Sequence, residues 1–371
     1  MHTHRFPLAG RWKDAPAAPN QMDTVALDAS AAFAIGAETK WPRDLSAALN
    51  SDPDNNEPPP WNEVLGPTVD RAEPNGMVVR HGQCIKRWGD TARVDMTFSI
   101  AKSYLSILAG IALRDGLIAS LDDRVADSAL DDGFTSAQNR DITWRHFLTQ
   151  TSEWEGTLWD KPDLIDRHRQ VGVGADNSRK GTHRDLQPAG SFFEYNDVRV
   201  NRFALALLHV FREPLPHVLK REVMDPIGAS DTWQWHGYRN STVTIDGKDM
   251  VSVPGGAHWG GGLFISSEDH ARLGLMILNG GCWNDHRILP HDYVEAISTP
   301  SSTYANYGYL WWLNTDRKQY ANAPQTSFFA MGAGTSLLWL DPTLELIVVV
   351  RWIRQSKIND WIGTVLAALR D

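Results

Sequence analysis

Two runs of strand-forming residues near the ends of this chain enclose a long helical stretch, and that order limits the fold more than any other feature. Near the start, Met77-Val78-Val79-Arg80, a His81-Gly82 turn and Cys84-Ile85-Lys86-Arg87-Trp88 predict a strand pair. Near the end, Ser336 to Leu340, a turn at Asp341-Pro342 and Leu346 to Val350 predict a hairpin, and a closing helix follows over 358–369. Between them a helix opens at Ser99, with apolar Leu105, Leu108, Ala109, Ile111, Ala112 and Leu113 at helical period until Gly116 stops it. A second helix runs from Val198 to Phe211, with Asn196 or Asp197 as its N-cap. After residue 250 Gly260-Gly261-Gly262 reads as a close-packed strand end before a helix at Glu268–Leu278. The pattern predicts an α/β (α+β) protein whose sheet is built from both ends of the chain around a helical insertion.

The boundaries follow the composition. Residues 1–60 are rich in Pro, Ala and Asp and end in the breaker run from Asp52 to Pro60. Only Trp41 to Leu49 has helical spacing there, so this region reads as an arm over the surface. Residues 61–98 with 251–371 read as the sheet domain, and 99–250 as the mainly helical subdomain. A chain of 371 residues can bury a large core. The net charge of -9, without a basic run, speaks against nucleic acid and membrane as partners. Cys84 and Cys282 are too few for a disulfide framework or a cysteine zinc site. The N-terminus lacks the continuous apolar segment of a secretory signal, and no stretch approaches the roughly 18 apolar residues of a membrane span. A soluble, cytoplasmic protein is expected. The histidines are scattered, and His2 and His4 fit a frayed terminus, so neither a metal nor a cofactor is predicted.

The chemistry rests on Ser99-Ile100-Ala101-Lys102. Residues three apart share a helix face, so the Lys102 amine can reach the Ser99 hydroxyl. A serine becomes a nucleophile when an adjacent base takes its proton, and a helix N-terminus adds free N–H groups and a positive dipole end. The bland reading has Ser99 capping the helix and Lys102 solvated. No Gly-x-Ser-x-Gly elbow, His-Glu-x-x-His, Walker loop or dinucleotide fingerprint competes. A lysine base needs a depressed pKa and a partner to return the proton, and Tyr195, just before a helix, is the best candidate. Of the 16 tryptophans most should be core, but Trp154, Trp159, Trp259 and Trp311-Trp312 lie in loop-like contexts where they could line a pocket.

Ser-x-x-Lys at a helix start, a Tyr-x-Asn-like triplet and a Gly-rich C-terminal strand, in that order, resemble class C β-lactamases and penicillin-binding proteins. The family VIII esterases and 6-aminohexanoate-dimer hydrolases are closer still. Gly116 to Asp123, Ile142 to Ser152 and Ser336 to Val350 also resemble that family, over roughly residues 75–355. The resemblance implies a β-lactamase/transpeptidase-like fold: an antiparallel sheet flanked by terminal helices, with the helical subdomain inserted. It implies that Ser99 is acylated, that Lys102 and Tyr195 share the proton work, and that the oxyanion sits on the N–H groups of Ser99 and Ala333.

Three departures refine this expectation. The third motif, Ala330-Met331-Gly332, lacks the Lys or His that would hold a substrate carboxylate. That favours a small neutral ester or amide over a β-lactam. Asp197 stands where relatives carry Asn; it either pairs with Lys102, favouring the ammonium and leaving Tyr195 as the base, or caps the helix and points away. Glu153 replaces a common Gly, and the Glu153-Trp154-Glu155 loop is expected over the pocket, with His258 and Trp259 as another wall. Serine hydrolysis of a small-molecule ester or amide is the leading function. Amide hydrolysis of the 6-aminohexanoate type, acyl transfer, or a catalytically silent ligand-binding homologue are the alternatives, and a homodimer is left open.

Overall fold

A computed structural model describes residues 6–51, 57–172, 174–256 and 258–370. His2, His4 and most of the breaker run lie outside them. The first helix, α1 (Thr24–Gly36), corrects the reading of residues 1–60 as a surface arm. Asp23 caps it by accepting from the Ala26 N–H at 2.7 Å, and Leu27, Ala31 and Ala34 are buried. Its Ala-rich sequence has no clear apolar stripe, which is why periodicity missed it. The short helix after it spans Leu45–Ser51, started by Asp44 Oδ1 accepting from the N–H groups of Ser46 and Ala47.

Strands β1 (Asn75–Arg80) and β2 (Gln83–Trp88) form the expected pair. Later strands β3 (Trp312–Leu313), β4 (Phe328–Gly332), β5 (Ser336–Asp341) and β6 (Leu346–Arg351) join them in an antiparallel sheet of order β3-β4-β5-β6-β1-β2. The two ends of the chain meet at β1 and β6, where Val78 pairs with Val348. Asp341 shapes the β5–β6 turn by accepting from the Thr343 and Leu344 N–H groups, both at 3.0 Å.

Helix α2 (Ile100–Arg114) lies within the expected span, α3 (Asp197–Phe211) starts one residue before the expected Val198, and α4 (Ser267–Leu278) follows the glycine run. The closing helix α5 (Ile358–Leu366) ends before 369. Side-chain alternation sorts the layers. Leu338, Leu340 and Ile347 meet α4 at Gly274, whereas Trp88 packs on Trp361 of α5 across the opposite face. Trp361 also donates to the Ser30 carbonyl of α1 at 3.1 Å, so the two terminal helices share that face. Helix α2 packs between the sheet and α3. The stretch read as helical also contains strand: Gln234–His236 pairs with Gly262–Ile265, and Thr242–Ile245 with Lys248–Val251. Among the described residues no helix is long and apolar enough to cross a membrane.

Candidate active site

Ser99 sits at the start of α2 with φ -66° and ψ -8°, and its side chain makes no capping bond. Instead its hydroxyl accepts from Lys102 Nζ at 2.8 Å. Phe98 before it adopts a left-handed φ of +49°, uncommon for a bulky residue, and is held by burial and an edge-on contact with Trp41. The strained residue turns the chain into the helix while Ser99 stays half-buried rather than sealed.

Lys102 is buried, and three groups surround its amine. Besides Ser99, Asp197 Oδ1 lies 2.5 Å away and the Tyr195 ring centroid 4.7 Å away. The question left open for Asp197 is answered: Asn196 is the cap of α3, its side chain accepting from the Arg199 N–H at 3.1 Å, and Asp197 turns inward to Lys102. Asp197 Oδ2 accepts from Arg169 Nη1 at 2.8 Å and faces His258 Nδ1 at 3.2 Å. Burial pushes the Asp197 carboxyl up, but Arg169, Lys102 and His258 outweigh it and hold the group well below the usual carboxylate range.

Behind Asp197 lies a charged layer that the sequence did not reveal. His258 Nε2 meets Glu57 Oε1 at 2.8 Å, and Glu57 also takes Lys180 Nζ at 2.5 Å and Trp259 Nε1 at 3.2 Å. Burial raises the Glu57 carboxyl, but His258 and Lys180 reverse this and bring it to about 2. Asp166 accepts the Asp197 backbone N–H at 2.8 Å and pairs with Arg169 and Lys180. Glu57, Asp166 and His258 bring ligand atoms within 4.8 Å of one another, a spacing a metal could use. Here Lys180 and Arg169 already pair with the two carboxylates, Lys180 with both and Arg169 with Asp166, so the set does not fit a divalent cation. Lys161 closes the layer, donating to the Trp61 and Glu63 carbonyls while its amine lies 5.2 Å from the Trp259 ring centroid. Burial pushes its amine down to about 8.

Strand β4 approaches from the other side. A Cβ on Gly332 would lie 2.1 Å from the Thr97 carbonyl, so only glycine lets the strand come this close to the segment that carries Ser99. Ala333 follows in the turn before β5 and packs in the small cluster that contains Phe98. An aromatic stack runs from Tyr195 through Trp312 (centroids 5.5 Å) and Tyr307 to Phe193 and the partly exposed Tyr304.

Other expected pocket residues lie elsewhere. Trp154 is buried, donates to the Gly133 carbonyl at 2.8 Å and lies against Arg202, so it braces the core instead of lining a pocket. Glu153 does not overhang the site. It is fully buried, paired with Arg184 at 2.5 Å and Arg199 at 2.6 Å. Its φ of +48° is a conformation that glycine adopts without cost, and here the two guanidiniums hold the glutamate in it. Trp311 packs on Phe328 in the core. His258 and Trp259 are buried and stacked on each other at 4.5 Å, within the charged layer rather than on a pocket wall. Glu57, Asp166, Arg169 and Lys180 carry no local pattern that marks them, and Glu57 lies within the breaker run read as part of a surface arm.

A family model described as Beta-lactamase matches residues 76–360. No curated protein matches the chain. Among solved structures, EstCE1, described as a hydrolase with promiscuous acyltransferase activity, superposes with a TM-score of 0.58 at 15% identity, covering 94% of this chain and 100% of that one. A β-lactamase/D-alanine carboxypeptidase from Pseudomonas syringae gives 0.56 at 12% identity over 80% and 94%. A Bacillus anthracis protein assigned as a 6-aminohexanoate-dimer hydrolase gives 0.53 at 15% over 80% and 77%. At these identities the likeness establishes the β-lactamase/transpeptidase-like fold.

Proposed function

Because the chain belongs to the beta-lactamase family, whose members are serine hydrolases, we propose that it cleaves a small neutral ester or amide through an acyl-enzyme on Ser99. The observation that carries this reading is the hydrogen bond from buried Lys102 to the half-buried Ser99 hydroxyl. In the proposed reaction Tyr195 enters as the tyrosinate; Ser99 Oγ bonds to the substrate carbonyl carbon and its proton passes to the Tyr195 oxygen. Lys102, ion-paired with Asp197, serves as a fixed positive charge beside both. The tetrahedral oxyanion sits on the N–H groups of Ser99 and Ala333, each such donor contributing about 3 kcal/mol. Collapse breaks the bond to the alcohol or amine, which leaves with the proton from Tyr195. Water then adds to the acyl carbonyl, losing a proton to Tyr195, and the acid departs as Ser99 regains its hydrogen.

Substrate class follows from what flanks the pair. Ala330-Met331-Gly332 offers no cation for a carboxylate, and the aromatic stack from Tyr195 to Tyr304 favours apolar acyl or leaving groups. A linear amide of the 6-aminohexanoate type and acyl transfer to an alcohol use the same acyl-enzyme, and the neighbours named for those activities support testing both. The test is a panel of p-nitrophenyl butyrate, a linear aliphatic amide and a β-lactam, run with wild type, Ser99→Ala and Tyr195→Phe. We expect ester turnover lost by at least about 10³-fold in both variants and β-lactam turnover weak in all. Turnover retained in Ser99→Ala would refute the assignment.

A further inference from the structure

We infer that His258, clamped between Glu57 and Asp197, is a positioning residue that acts as a fixed imidazolium: it holds Asp197 against Lys102 and so aims Lys102 at Ser99. The inference rests on the serine-hydrolase reading above and assigns a role to groups outside its motifs. Its basis is donor arithmetic. Nδ1 faces Asp197 at 3.2 Å and Nε2 faces Glu57 at 2.8 Å. A neutral imidazole carries one N–H, so one carboxylate would face a lone pair; only the doubly protonated ring donates to both.

Neither carboxylate is placed to turn away. Glu57 is fixed by Lys180 and by the Trp259 indole, and Asp197 by Arg169 and Lys102. Trp259 lies nearly flat on the imidazole, 23° from parallel, which sets the ring plane and presents an electron-rich face to a cation. The His258, Glu57, Asp197 and Lys102 side chains are each at most 2% exposed, so water does little to weaken their coupling. The charged groups around the ring are Glu57 and Asp197 in contact, Arg169 across Asp197, Lys180 and Asp166 beyond Glu57, and Lys161 on the Trp259 ring. Burial and Arg169 disfavour the proton, Glu57 and Asp197 favour it, and the balance raises His258 above an ordinary histidine.

As pH rises through that titration, Asp197 loses one of the two cations on Oδ2 and Glu57 comes to face a lone pair. The tether on Lys102 slackens, and acylation of Ser99 falls on the alkaline side.

The test measures the rate of Ser99 labelling by a fluorophosphonate against pH, using intact mass, in wild type, Glu57→Gln and His258→Gln. We expect Glu57→Gln to move the alkaline limb down by about one pH unit. His258→Gln should slow labelling about 10-fold or more and remove that limb. Because Glu57→Gln could unfold the protein, ¹⁵N spectra of histidine-labelled wild type provide a second reading. They should contain one ring protonated on both nitrogens beyond the titration of free histidine, and that signal should be absent in His258→Gln. A wild type that never labels refutes the hydrolase reading and this inference with it. A wild type that labels, with limbs unmoved by either variant or with a neutral His258 ring at pH 7, overturns the inference alone.

Discussion

The interior has two halves held together by opposite means. Across the middle of β1, β5 and β6 the buried side chains are all aliphatic, aromatic or Met, and Val78, Val348, Leu338 and Trp339 have essentially no exposure, the polar Asn75, Arg80, Ser336, Asp341 and Arg351 standing only at the strand ends. Around Lys102 the interior is equally dry but charged: Asp197, Arg169, Asp166, His258, Glu57 and Lys180 compensate one another. The first half contributes stability through area removed from water, which any similar shape can supply. The second contributes little net stability, because desolvation consumes most of the attraction, but it fixes where each charge points. The sheet is a platform, and the charged layer orients the nucleophile.

Breaking each half should give different signatures. The largest effect on stability is expected from Asp197→Ala, which removes the carboxylate from Lys102 and one of the carboxylates facing each of Arg169 and His258: about 3–5 kcal/mol in urea unfolding, together with loss of activity. A loss below 1 kcal/mol would show the charges are not buried as described. Ile347→Ala in the sheet should cost about 2–4 kcal/mol, with activity per folded molecule unchanged.

Between these lies Gly332→Ala. Its added carbon must displace either β4 or the Thr97 carbonyl, so kcat should fall about 100-fold while the far-UV spectrum is kept. An unchanged kcat would separate β4 from the site.

Acid divides the halves more gently. Asp197 and Glu57 are lowered in the folded state, so their contribution is present above about pH 4 and is lost as pH falls through the folded values, about 2 for Glu57. His258 is raised, so its contribution is full below about pH 6.5 and is lost as pH rises through its folded value. The middle of the sheet, 77–79, 337–340 and 346–350, carries no side chain that titrates in this range. Amide exchange at pH 3 should therefore open the first turn of α3 before β5 and β6. Simultaneous opening would argue that the charged layer adds nothing local.

The same division governs how much could be read in advance. The β1–β2 pair and the β5–β6 hairpin carry their signal in consecutive residues, and α2 and α3 in their apolar period. The contact between Ser99 and Lys102 was legible because they lie three positions apart at the start of one helix. The contact of Asp197 with Lys102 was framed as one of two options, since a carboxylate at a helix start serves equally well as a cap. The Glu57–His258 pair was invisible: the partners are distant in sequence, and nothing nearby requires an ion pair. Helix α1 escaped because an Ala-rich segment buried against α5 needs no polar face.

The central claim is that Ser99 becomes acylated, and the direct measurement is a rapid-quench reaction with p-nitrophenyl butyrate followed by peptide mass mapping. The account predicts a burst of about one equivalent of p-nitrophenol per protein molecule and a butyryl group on the peptide containing Ser99. A linear time course without an adduct, or an adduct on another residue, would contradict it.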